Sequence, residues 1–169
     1  MYIEGDKWHL DAMAVTINGQ KHWLWRAVDQ HGAVLDVLVQ SRRDRHAARR
    51  LMRKLLKKHR RAPRVPITDK LKSYAAANRD LGLNVEQRQH KGLNNRAENS
   101  HQPTRQRERA MKRFKSIRHA QRFLSAFSGI SPHFRPRRHL LSAADYRQVM
   151  ADRFAVWNEI TGATTTAAA

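Results

Sequence analysis

Three carboxylates stand out by where they fall in the chain: Asp11, Asp69 and Glu98. Asp11 interrupts an apolar run from His9 to Ile17, and Asp69 closes the apolar run Val65–Thr68. Glu98 lies in a segment that reads as a helix beginning near Asn94 and Asn95. A carboxylate set in a hydrophobic strand costs free energy unless it is paired or metal-bound. If the strands carrying Asp11 and Asp69 are neighbours, the two side chains converge at their ends, and the helix can bring Glu98 to the same point. Three hard oxygen donors with open positions suit Mg²⁺ or Mn²⁺, which keep waters and bind phosphate oxygens. Two such ions, about 4 Å apart, can activate a water on one side of a phosphodiester and stabilise the leaving oxygen on the other. Taken singly, each residue has an ordinary reading: Asp11 paired with an arginine, Asp69 capping a helix, Glu98 on a solvated surface. The weight rests on the three together.

The elements that must position them are legible in outline. Asn18-Gly19 is a strong signal for a tight hairpin, because both central positions of a type I′ turn need positive φ. It joins strands over 9–17 and 22–29, and a turn at Gln30-His31-Gly32 leads to a third strand, Val34–Gln40. The period then changes. Asp44 can cap a helix in which Ala47, Ala48, Leu51, Met52, Leu55 and Leu56 recur at three- and four-residue spacing, with Arg and Lys opposite. Pro63 ends it, and Val65–Thr68 reads as a fourth strand although Pro66 is a poor fit for a central one. A helix is expected over 70–80, a fifth strand over 84–88, then the Glu98 helix. Ser116 starts a further helix closed by Gly129 and Pro132. Ser142 and Asp145 form a capping-box-like start to a last one carrying Trp157. A three-stranded antiparallel meander followed by strand-helix alternation predicts an α/β mixed sheet of five strands flanked by helices, with a helical C-terminal part. Residues 1–115 form the expected core, 116–160 its helical extension, and 161–169 a disordered tail. Trp8, Trp23 and Trp25 are expected on strands as core or sheet-face residues rather than as base-stacking platforms.

Composition supplies the partner. Lys and Arg total 34 against 14 acidic residues, a net charge of +20. A compact domain with that excess repels itself unless a polyanion is near, and nucleic acid is the expected ligand. The basic residues are spread along the whole chain, which argues against a membrane-surface helix. No apolar run approaches a membrane span, and the N-terminus lacks the pattern of a secretory signal. The absence of cysteine excludes disulfides and thiolate metal sites.

Seven stretches, in order and at fitting intervals, carry a family resemblance: Gly5–Asp11, Leu24–Asp29, Val39–Asp44, Thr68–Leu71, Asn94–His101, Arg113–Ser116 and Phe134–Arg138. The sequence resembles the bacterial insertion-sequence transposases of the "insertion sequence six" group, over roughly Gly5 to His139. The resemblance implies a ribonuclease H-like catalytic domain and metal-dependent cleavage at element ends followed by strand transfer into target DNA. It implies two Mg²⁺ ions, with Mn²⁺ as a substitute, and a homodimer or larger assembly that pairs two ends. A bacterial cytoplasmic protein at the nucleoid is expected. By motif, Asp11, Asp69 and Glu98 match the three catalytic, metal-binding carboxylates. Arg105 lies seven residues after Glu98, where transposases of this broad class often place a Lys or Arg that holds DNA. His101, three residues after Glu98, shares its helical face. Arg88, His90 and Lys91 are candidate phosphate contacts.

The sequence also departs from the pattern. Relatives usually begin with a helical DNA-binding segment, whereas here the match starts a few residues from Met1, so an N-terminally truncated chain is expected. Ala12 stands where relatives commonly have Glu. Pro103 falls between Glu98 and Arg105, where it can kink the helix. The alternative to an active transposase domain is a catalytically impaired fragment that still binds DNA.

Overall fold

The computed structural model describes residues 7–68, 72–83, 85, 88–89, 97, 99, 101–110 and 114–163. Asn18 and Gly19 take φ of 49° and 74°, the positive values that the hairpin turn demands. They register β1 (Lys7–Ile17) against β2 (Gln20–Asp29), with Ile17 opposite Gln20 and pairing unbroken to Trp8 opposite Asp29. The Asp29 carboxylate accepts from the backbone N–H of His31 and Ala33, and this side-chain-backed turn sends the chain into β3 (Val34–Gln40).

Asp44 caps α1 (Arg45–His59) by accepting from the Ala47 N–H at 2.9 Å. That hydrogen bond, the largest cause, holds the Asp44 carboxyl below its ordinary 3.8. A depressed carboxyl stabilises the folded state above its unfolded pKa and loses that contribution as pH falls. Replacing Asp44 by Ala should therefore cost about 1 kcal/mol at neutral pH. Thermal melts at several pH values check this: the gap between the two proteins should close in acid.

β4 (Val65–Thr68) returns parallel to β1, with Leu10 opposite Thr68, and β5 (Arg88–Gln89) lies beyond it. The sheet order is β3-β2-β1-β4-β5, three antiparallel strands followed by two parallel ones. Pro66 sits inside β4 after all. Among the described residues β5 reaches only Ile67 and Thr68, so Pro66 meets a strand on one side alone. Of the fifth strand expected over 84–88, regular pairing is described only at Arg88 and Gln89.

Strand alternation sorts the core onto two faces. Trp8, Leu10, Ala12, Trp25, Ala27 and Leu35 face one way, under the apolar stripe of α1 and under Tyr74 and Ala77 of α2 (Lys72–Asp80). Met13, Val15, Ile17, Leu24, Val37 and Val39 face the other way, under Phe114 and under Ala120 and Leu124 of α4 (Ile117–Ile130). Between them in sequence, α3 spans Gln102–Ala110, and Pro103 occupies its first turn, where proline is tolerated. The outer edge of β3 is covered: Lys54 and Gln121 donate to the Val37 carbonyl, Lys58 to the Leu35 carbonyl, and Gln121 accepts from the Val39 N–H. An edge blocked by lysines resists pairing with another chain.

Backbone packing divides the chain after Ser128. In the second unit α5 (Ala143–Thr161) starts at Ser142, whose hydroxyl accepts from the Asp145 N–H, and ends at Gly162 with φ of 66°. Phe134, in a 3-10 turn over Ser131–Phe134, packs its ring against Phe154 and Trp157 of α5. Among the described residues no helix is long and apolar enough to cross a membrane.

Candidate active site

β1 has β2 beside it from Trp8 to Ile17, and among the described residues β4 pairs with it as far as Leu10. The next residue is Asp11. From there β1 borders a cleft of about 510 Å³, lined by Asp11, Ala12, Met13, Ala14, Trp23, Arg43, Asn99, His101, Gln102 and Arg105. The cleft ends toward Ile17, where the Thr16 N–H donates to Glu108 of α3 and Ile17 bridges to Phe114. Asp11 thus sits one residue past the last described pairing between β1 and β4.

Asp11 faces the α3–α4 side of the sheet, directly opposite Arg26 of β2. Arg26 is 3% exposed, and its guanidinium donates to Thr104 of α3 at 2.8 Å and to Ser128 of α4 at 3.1 Å. Burial pushes its pKa down to about 10, which still leaves it a cation at neutral pH. His101, 2% exposed, sets Nε2 3.2 Å from Asp11 Oδ2, a close polar contact that falls short of hydrogen-bond geometry. Burial is the largest influence on the imidazole and lowers its pKa, outweighing the carboxylate that raises it. Arg105 lies exposed on α3, with Nε 3.5 Å from Met13 Sδ, two residues along β1 from Asp11 on the same face.

Of the residues singled out by sequence, Asp11, His101 and Arg105 share this cleft. Arg88 is exposed on β5 and is not among the lining residues. Asp69, Glu98, His90 and Lys91 lie outside the described residues. Their described neighbours are Thr68, paired with Leu10 one residue before Asp11, and Ala97 and Asn99, the first fully buried and the second lining the cleft. Among the described residues no three His, Asp or Glu side chains gather as a metal site. The donor that is described suits Mg²⁺: the Asp11 carboxylate, a hard anionic oxygen at the wall of a polar cleft.

Sequence reasoning did not single out Arg26 or Arg43, and it read Trp23 as a core or sheet-face residue rather than as part of a site. An arginine at an alternating position of an apolar strand, opposite an aspartate, is a signal for the first. For the other two the signal is weaker, since only the folded loop after β3 brings Arg43 over the Trp23 ring, 5.0 Å from its centroid.

A five-stranded mixed sheet in this order, with helices on both faces and a carboxylate on the central strand at the mouth of a basic cleft, is the ribonuclease H-like arrangement. The chain belongs to the DDE-domain family of insertion-sequence transposases, whose family model, described as a DDE domain, matches residues 5–137. The transposase for insertion sequence-like element IS431mec of Staphylococcus aureus is 34% identical over 71 residues, covering 42% of this chain and 31% of that protein. The transposase of element IS257 in transposon Tn4003 of the same species matches to the same extent. An uncharacterized protein of Yersinia pseudotuberculosis is 33% identical over 72 residues, covering 41% of this chain and 67% of its own length. The chain thus aligns with about a third of the length of the staphylococcal transposases. Among solved structures, the HTLV-2 integrase catalytic core domain in complex with magnesium, in its trimeric form, superposes with a TM-score of 0.45 at 15% identity, covering 59% of this chain and 68% of that one. The dimeric form gives a TM-score of 0.43 at 13% identity, covering 52% and 62%.

Proposed function

We propose that this domain cuts DNA at insertion-sequence ends and joins the freed strand to target DNA. The observation that carries this reading is Asp11 on the central strand at the head of a basic cleft, next to the register position of Thr68. Asp11, Asp69 and Glu98 would hold two Mg²⁺ ions, which supply Lewis acidity toward the attacking and leaving oxygens of a phosphodiester. The chain's own residues do the rest. Arg105 and Arg43 bring positive charge to the cleft for the DNA backbone, with Arg88, His90 and Lys91 as further phosphate contacts. The buried cation of Arg26 lies at the register position opposite Asp11 and ties β2 to α3 and α4 beside the cleft. His101 is a positioning residue: enclosed and in contact with Asp11, it limits the swing of that carboxylate. A homodimer or larger assembly would pair two element ends. Residues 1–115 are the catalytic core in this reading, and 116–160 extend it.

The test is a nicking assay on DNA carrying candidate element ends, run with Mg²⁺, with Mn²⁺, and with a chelator. Nicking that needs the divalent ion supports the proposal. Salt-sensitive DNA binding with no nicking under any divalent ion would leave the alternative, a DNA-binding fragment without catalysis.

A further inference from the structure

The cleft has a second wall that catalysis by carboxylates does not use. Ala12 and Ala14 project from β1 on the face opposite Asp11, and their small side chains leave the edge of the strand low. Trp23, the cross-strand partner of Ala14, leans against the core beneath α1 and lines the cleft there. It differs from Trp8 and Trp25, which are fully buried. Two cations lie over its ring: Lys21 Nζ at 4.6 Å and the Arg43 guanidinium at 5.0 Å from the ring centroid. The segment carrying Arg43 is tied down by the Trp25 indole N–H, which donates to the Arg42 carbonyl at 3.3 Å.

We infer that Trp23, Lys21 and Arg43 form a stacking subsite for one unpaired nucleobase of the DNA strand held in the cleft. The ring face that carries these two cations takes any base by its π-face when their flexible side chains swing aside to meet the phosphates on either side. The cleft volume, about 510 Å³, is within the range of pockets that enclose a small ligand. Asp11 is the sole acidic residue among the described residues of its lining, against the cations Arg43 and Arg105, so the site favours an anionic aromatic ligand over a cationic one. A base drawn out of its stack at this point would leave its backbone running through the cleft along β1 toward Asp11. This rests on the proposed action on DNA, and it adds the reason a strand would be distorted next to the cut.

The test uses the full chain with Trp157→Phe, which leaves Trp23 as the one tryptophan that is not fully buried. Its emission is followed, in chelator, during titration with oligothymidylate and with an abasic deoxyribose-phosphate oligomer of equal length. Emission should fall with the first and hold with the second. Trp23→Ala should weaken binding of oligothymidylate about tenfold and leave the abasic oligomer unaffected. Trp23→Phe keeps a ring against the core, so it guards against loss of folding; it should bind nearly as the parent does while showing no quenching. Unchanged emission at saturating oligothymidylate would overturn the inference, as would equal affinity of Trp23→Ala and the parent for it. Because no strand is cut in chelator, the outcome is independent of the nicking assay: a protein that nicks without quenching loses only the subsite, and one that quenches without nicking loses only the catalysis.

Discussion

Asp11→Asn should reduce metal-dependent nicking on the order of a thousandfold or more, because a bound ion contributes several kcal/mol of charge stabilisation in the transition state. The substitution keeps the shape of the side chain and removes its charge, so the change isolates the donor. Asp11 touches His101 and faces the cleft, and it carries no part of either apolar cluster. The melting temperature should accordingly stay close to the parent's. DNA affinity should hold or rise, since a negative charge leaves a basic cleft. Asp69→Asn is expected to behave the same way. Nicking that persists at the parental rate in either variant would place the catalytic centre elsewhere.

Arg26→Ala should destabilise the first unit by roughly 3 kcal/mol, a fall in melting temperature of about 10 °C. Two effects add. Truncation leaves a void in a fully enclosed site between β2, α3 and α4, and the hydroxyls of Thr104 and Ser128 lose the donor they share. The comparison variant is Arg26→Lys, whose chain is one bond shorter and ends before the position of Nη2, the one nitrogen that donates to both hydroxyls. It should recover only part of the loss. A change under about 1 kcal/mol in the alanine variant would mean that Arg26 contributes no more than a surface charge does.

The hairpin, the helix start at Asp44 and the run Val65–Thr68 could be read from the residues because each is decided locally. Positive φ at Asn18 and Gly19, a side-chain cap at Ala47, and an apolar run bounded by Pro63 and a following charge need no distant partner. Pro66 shows where local reasoning stops. A proline argues against a central strand, yet Pro66 stands in β4 opposite Trp8 of β1, and the described pairing with β5 begins at the next residue. Pro103 follows the same pattern: within a helix it reads as a kink, but the described helix begins at Gln102, so proline falls in its first turn.

The candidate site divides along similar lines. Residue type and motif alone drew attention to Asp11, His101 and Arg105, and the +20 charge alone pointed to nucleic acid. What tertiary structure decided is the cleft itself. It lies along β1 past the last described pairing with β4, where residues of β1, β2, the loop after β3 and α3 meet, and that meeting is not encoded in any one of them separately. Tertiary structure also turned Arg26 into a buried cation that links two helices, and it set Trp23 apart from Trp8 and Trp25, three tryptophans that look alike in sequence. Periodicity reports which face a residue takes; only long-range packing determines whether that face is covered.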